Sequence, residues 1–105
     1  MKRRPTYHDD LMRDLKNRKT ALGYLSASLA IGDKEAFLLA LRNVAEAWGG
    51  MSKLSKTANI PRISLYRMLS TKGNPQIDNL ENVLKAFGFR LAIVNDQRPH
   101  LHRAA

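Results

Sequence analysis

The stretch Met51–Ser70, MSKLSKTANIPRISLYRMLS, lies between two chain breakers. Gly49-Gly50 precedes it and the Gly-Asn-Pro of the loop Thr71–Gln76 follows it. The spacing within it predicts a helix over Met51–Ala58, a tight turn at Asn59–Pro61 and a second helix over Arg62–Ser70. Leu54, Ile60, Leu65, Met68 and Leu69 fall where such a corner needs apolar side chains, and Arg62, Ser64, Tyr66 and Arg67 fall on its outer face. Two helices this short cannot bury their own apolar stripe. The rest of the chain must therefore supply a core for them to lean on.

The segments on either side fit that role. Lys34–Trp48 is the strongest helix, with Phe37, Leu41, Val44 and Trp48 on one stripe and Ala40 alongside. Trp48 on that stripe reads as core rather than as a base-stacking ring. Ahead of it, helices are expected over Asp9–Asn17 (Leu11, Met12, Leu15) and Thr20–Ile31 (Leu22, Leu25, Leu29 on one face). Asp9, Asp10 and Lys16 suit the dipole of the first helix. Gly32 is a plausible stop, and Asp33 a good N-cap for the helix that follows.

After the loop, Ile77–Phe87 presents Leu80, Val83, Leu84 and Phe87 and is closed by Gly88. Phe89–Val94 then changes period: Phe89, Leu91 and Ile93 alternate with Arg90, Ala92 and Val94, as in a β-strand. A lone strand has no internal partner. It either pairs with another chain, Phe89, Leu91 and Ile93 then forming a dimer contact, or lies over the core as an extended tail.

The expected organisation is a basic mobile arm at residues 1–8, where Pro5 blocks an early helix, one domain at 9–94 and a frayed tail at 95–105. The fold class is all-α, about five to six helices with a short C-terminal β-strand.

Charge narrows the function. With 18 Lys and Arg against 9 Asp and Glu the chain carries +9, which points to a polyanionic partner, nucleic acid before a membrane surface. From Gly49 to Pro75 the basic residues are Lys53, Lys56, Arg62, Arg67 and Lys72, and there is no acid. The same run holds Ser52, Ser55, Ser64, Ser70, Thr71 and Asn74, short polar side chains suited to phosphate and groove contacts.

Helix-turn-helix binding of double-stranded DNA is the reading that joins these features. Arg62 and Arg67 can donate to guanine edges or to phosphate alone; Tyr66 can reach a phosphate or cover the corner.

Other chemistry is thin. There is no cysteine, His8 stands alone, and His100 with His102 is too few ligands for a structural zinc site. No nucleophile-base arrangement or phosphate-binding glycine loop appears, so neither an enzyme nor a cofactor is expected. No segment is apolar enough to span a membrane, and no apolar stretch follows the basic N-terminus as a secretory signal requires. A cytoplasmic protein is expected.

The segments GYLSASLAIGD, FLLALRNVAEAWGGMSKLSKTANI, SLYRMLSTKGNP and NLENVLKAFGFRL cover roughly residues 20–92. In them the chain resembles the HigA-like addiction-module antidote proteins. These are a prophage-associated branch of the Xre/λ-repressor-like helix-turn-helix superfamily.

The resemblance implies a λ-repressor-like bundle that represses its own operon as a homodimer and neutralises a RelE/HigB-like, mRNA-cleaving toxin. It places Arg62, Ile63 and Arg67 at the major groove, Ser52 and Lys53 near the start of the supporting helix, and Ser70, Lys72 and Asn74 beside phosphates. Ser55, Asn59 and Pro61 stand where the family usually has Ala, Gly and a Ser/Thr cap, and each is tolerable there. A solitary prophage-type repressor and a protein-interaction module with the motif as scaffold are the alternatives. A toxin surface would need acidic or apolar ground, such as Asp9/Asp10/Asp14 or the strand.

Overall fold

The computed structural model describes residues 4–96. In it six helices follow one another: α1 Tyr7–Leu15, α2 Arg18–Ile31, α3 Lys34–Ala47, α4 Met51–Ala58, α5 Arg62–Met68 and α6 Ile77–Ala86. The expected five to six helices agree with this. Residues 1–3 of the expected arm and 97–105 of the expected tail, with the His100/His102 pair, lie outside the described residues.

Caps set the boundaries. Thr6 and Asp9 form a reciprocal capping box, each side chain accepting from the other's backbone N–H at 3.0 Å. This starts α1 at Tyr7, two residues before the expected Asp9 and inside the expected arm. Asn17 likewise caps α2 by accepting from Thr20 N at 3.0 Å, so α2 begins at Arg18 rather than Thr20. Gly32 closes α2 in the left-handed region (φ +83°), and Asp33 caps α3 through bonds from Glu35 N and Ala36 N.

Helix α3 is the hub, packing against α1, α2 and α4, while α4 in turn holds α5 and α6. Its expected stripe is buried: Phe37, Ala40, Leu41 and Val44, joined by Leu38 and Ala45. Leu15, Leu65, Leu69 and Val83 are fully enclosed with them. Truncating any one of these to Ala typically costs about 2–5 kcal/mol.

Trp48 is half-buried. Its Nε1–H donates to Leu15 O at 2.6 Å, and its ring meets Phe87 edge-on at 5.5 Å. It is a core residue, as its place on the stripe predicted.

Two expectations need correction. The buried face of α2 is Ala21, Leu25 and Ser28, with Tyr24 partly covered, whereas Leu22 and Leu29 stand 46% and 49% exposed. Small residues at 21 and 28 let α2 lie close to α3. A face built on three leucines would hold the helices further apart.

The second concerns Phe89–Val94. Among the described residues there is no strand, because a single extended segment has no ladder neighbour. Phe89 and Leu91 instead pack half-buried on the core, and Ile93 is fully exposed. Arg18 holds the root of this segment: its guanidinium donates to Phe87 O (3.2 Å) and Gly88 O (2.7 Å) and lies 4.9 Å over the Phe89 ring.

Candidate nucleic-acid interface

The corner between α4 and α5 is fixed by one side chain. Ser55 O accepts from the N–H of Asn59 and of Ile60, and Ser55 Oγ donates to Ile60 O at 2.5 Å. Asn59 takes the left-handed conformation this turn demands (φ 58°, ψ 46°), which Asn adopts more readily than most residues. Pro61 follows with φ −54°, and its carbonyl accepts from Leu65 N at 2.9 Å to open α5. A proline there loses no helical donor.

Leu54, Ala58, Ile60, Leu65, Met68 and Leu69 then turn inward as the spacing required. The guanidinium of Arg42, on α3, donates to Leu69 O and ties the end of α5 to the hub.

With that face committed to the core, Arg62, Ile63, Ser64, Tyr66 and Arg67 are left outside. Ile63 is 73% exposed, an aliphatic side chain held off the core on a rigid helix. The Arg62 guanidinium sits 5.9 Å from the centre of the half-exposed Tyr66 ring. The ring thus supports a cation on the outer face rather than sealing the corner.

Helix α5 ends at Met68, short of the expected Ser70, because Ser70 Oγ donates to Arg67 O (2.8 Å) and Ser70 O accepts from Gly73 N (2.8 Å). That bond folds Gly73 so tightly that a Cβ on it would stand 2.1 Å from Met68 O. The turn brings Ser70, Lys72 and Asn74 to the flank of α5. There they share a recess of about 450 Å³ with Ser64, Arg67 and Asn79.

Asn79, in the first turn of α6, was missed in the sequence. Its short polar side chain just after a loop was a signal, but nothing local ties it to α5.

Ser52 and Lys53 are exposed in the first turn of α4, yet Lys53 is not part of this recess. Its stem lies against Gly49, where a Cβ would meet Lys53 Cδ at 2.5 Å. It lines a separate groove of about 640 Å³ with Lys16, Arg18, Trp48 and Thr57 among others.

No carboxylate lines the recess beside α5, though Asp78 adjoins Asn79 in the first turn of α6. On α1, Arg13 pairs with Asp10 at 3.2 Å and approaches Asp14 at 3.8 Å, and His8 meets Glu46 at 2.9 Å. Arg62, Arg67 and Lys72 make no ion pair among the described residues. Their charge is available to an anion. The described residues include no group of three or more His, Asp or Glu placed to hold a metal, and no helix among them is long and apolar enough to cross a membrane.

Comparison with known proteins adds what geometry alone does not. A protein of Haemophilus influenzae, described only as an uncharacterized protein, is 31% identical over 84 residues, 80% of this chain and 86% of that relative. No solved structure matches. A family described as probable addiction module antidote protein matches residues 6–95, which take in all six helices and the segment after them. An antidote implies a toxin as its partner. The chain belongs to this family of addiction-module antidote proteins.

Proposed function

We propose that the protein is a DNA-binding repressor that serves as the antitoxin of a type II module, in the HigA-like branch of the Xre/λ-repressor-like superfamily. It binds its own operator as a dimer and neutralises a RelE/HigB-like, mRNA-cleaving toxin. The observation that carries the DNA part is the outer face of α5. Five neighbouring side chains project there from a helix whose other face is wholly buried, and no acid lies between Gly49 and Pro75.

In this reading Arg62, Ile63, Ser64 and Arg67 enter the major groove, Arg67 and Arg62 donating to guanine O6/N7 and Ile63 meeting a thymine methyl. Tyr66 presents its hydroxyl to a phosphate and its ring to Arg62. Ser70, Lys72, Asn74 and Asn79 seat the adjoining phosphates, and Ser52 and Lys53 contact the backbone from the start of α4. Phe89, Leu91 and Ile93 contribute the dimer contact.

The test is binding of a labelled fragment from the gene's own promoter region across a salt series. A linear fall of log affinity with log salt is expected, with the promoter fragment bound at least a thousandfold more tightly than random sequence. Equal affinity for both fragments overturns the repressor reading. For the toxin, co-expression with the product of the adjacent gene is expected to relieve growth arrest and yield a co-purifying complex. Arrest that persists with no complex overturns that part.

A further inference from the structure

A groove of about 640 Å³ lies on the side of α4 turned away from α5. Gly50, Lys53, Leu54 and Thr57, at helical spacing on α4, form one wall of it. Ser55, whose side chain fixes the α5 corner, stands about 200° around the helix from Lys53. The ends of α1 and α6 and the start of α2 complete the groove with Lys16, Phe87 and Arg18.

Two properties occur together there. Half-buried Trp48, edge-on to Phe87 at 5.5 Å, gives the groove an apolar lining with Ala45 and Leu54. Lys16, Arg18 and Lys53 are its charged lining residues, and no carboxylate lines it. None of the three makes an ion pair among the described residues. Arg18 is engaged by the carbonyls of Phe87 and Gly88, which leaves the ammonium groups of Lys16 and Lys53 for an outside anion.

The α1 acids expected to meet a toxin are instead engaged inside the chain. Asp9 closes the capping box of α1, and Asp10 and Asp14 face Arg13.

We propose that this groove receives the toxin, through a toxin segment that sets carboxylate side chains beside an apolar one. The carboxylates meet Lys16 and Lys53, and the apolar side chain lies on Trp48. The inference rests on the antitoxin reading above and deepens it by naming the receiving surface and the chemistry of what enters. Because α5 faces the other way, the toxin-loaded chain keeps its outer face open.

Other occupants fit the groove less well. A nucleic-acid backbone satisfies the cations but brings little apolar surface to Trp48. The chain's own ends, MKR at residues 1–3 and QRPHLHRAA at 97–105, carry bases and no acid. A second copy brings the same +9, and its α1 acids are engaged as well.

Calorimetric titration of the full chain with the purified product of the adjacent gene tests the proposal. Lys53 also serves DNA in the reading above, so the variants are Lys16→Glu and Thr57→Glu, both exposed in the groove. Each is expected to weaken the complex about tenfold or more, with unchanged helical circular dichroism. Lys34→Glu makes the same change of net charge as Lys16→Glu at the start of α3, away from the groove, and is expected to weaken it less than about twofold.

A complex that either groove variant leaves at wild-type strength overturns the inference and leaves the antitoxin reading standing. Equal weakening by Lys34→Glu overturns it too, since overall charge then suffices. If Lys16→Glu weakens promoter binding far more than Lys34→Glu does, the groove carries DNA. If it lowers the sedimenting mass of the toxin-free chain, a second copy occupies the groove. Both outcomes overturn the inference. A wild-type chain that binds no toxin overturns the antitoxin reading and the inference together.

Discussion

Ser55 and Ile60 are joined twice across the α4–α5 turn, Ile60 N donating to Ser55 O at 3.1 Å and Ser55 Oγ donating to Ile60 O at 2.5 Å. The pair fixes the angle at which α5 leaves α4, and with it the direction of Arg62 and Arg67. Ser55→Ala leaves the half-buried Ile60 carbonyl without its side-chain donor. The expected loss is about 1 kcal/mol, lowering Tm by roughly 4–8 °C, measured by thermal unfolding. An unchanged Tm would show that water replaces the bond.

Arg67 projects from α5 into the recess beside Ser70 and carries no ion pair among the described residues. Arg67→Ala is expected to weaken promoter binding by about 1–3 kcal/mol while circular dichroism and Tm stay near wild type. Undiminished affinity in a fluorescence-anisotropy titration would contradict the assignment of α5 to the groove.

Lys72 tests the other kind of contact. As a phosphate neighbour it should contribute uniformly across sequences. Lys72→Ala is therefore expected to lower affinity for promoter and random DNA alike and to reduce the salt slope by about 1. A loss confined to the promoter fragment would make Lys72 a base-reading residue.

Gly73 is held where a Cβ would overlap Met68 O. Gly73→Ala must open the turn that positions Ser70, Lys72 and Asn74. We expect a destabilisation of about 1–3 kcal/mol in urea unfolding, with weaker DNA binding even at temperatures where the chain is folded. Wild-type stability in this variant would mean that the loop relaxes without cost.

Arg18 bridges the start of α2 to the carbonyls that end α6. Arg18→Ala is expected to cost about 1–2 kcal/mol and to raise amide exchange at Gly88 and Phe89, whose N–H groups bond to Lys85 O and Leu84 O. Lysine at this position cannot reproduce the two-pronged contact and is expected to restore only part of the protection. Unaltered exchange would assign the anchoring of the segment to Phe89 alone.

The corner and the limits between α2, α3 and α4 were legible because their causes lie within a few residues in sequence. Asp33, Gly32, Gly49 and Gly50 act on the turn beside them, and the Phe37–Val44 stripe repeats at helical spacing on a single element. Thr6 and Asp9 were equally local, a capping pair three apart, and the start of α1 could have been read from them. On α2, by contrast, a leucine stripe and a small-residue stripe lie side by side around the helix. Periodicity alone does not choose between them; the proximity of α3 does, by admitting Ala21 and Ser28 and leaving Leu22 and Leu29 outside.

The candidate site divides the same way. Arg62, Ile63, Ser64, Tyr66 and Arg67 were found from the burial pattern of their own helix. Asn79 joins them only because α6 packs on α4 and brings its first turn to the recess, and Lys53 leaves them only because Gly49 gives its stem a place to lie.

The sequence by itself determined the breaks at Gly32-Asp33 and Gly49-Gly50, the α4–α5 corner, and that this part of the chain carries positive charge without acid, since capping, breaking and charge density are short-range properties. Tertiary structure decided which side of α2 is buried, which polar residues share the recess, and that Phe89 and Leu91 rest on the chain's own core while Ile93 does not. Those outcomes depend on contacts such as Arg18 to Gly88, 70 residues apart, whose formation no local pattern records.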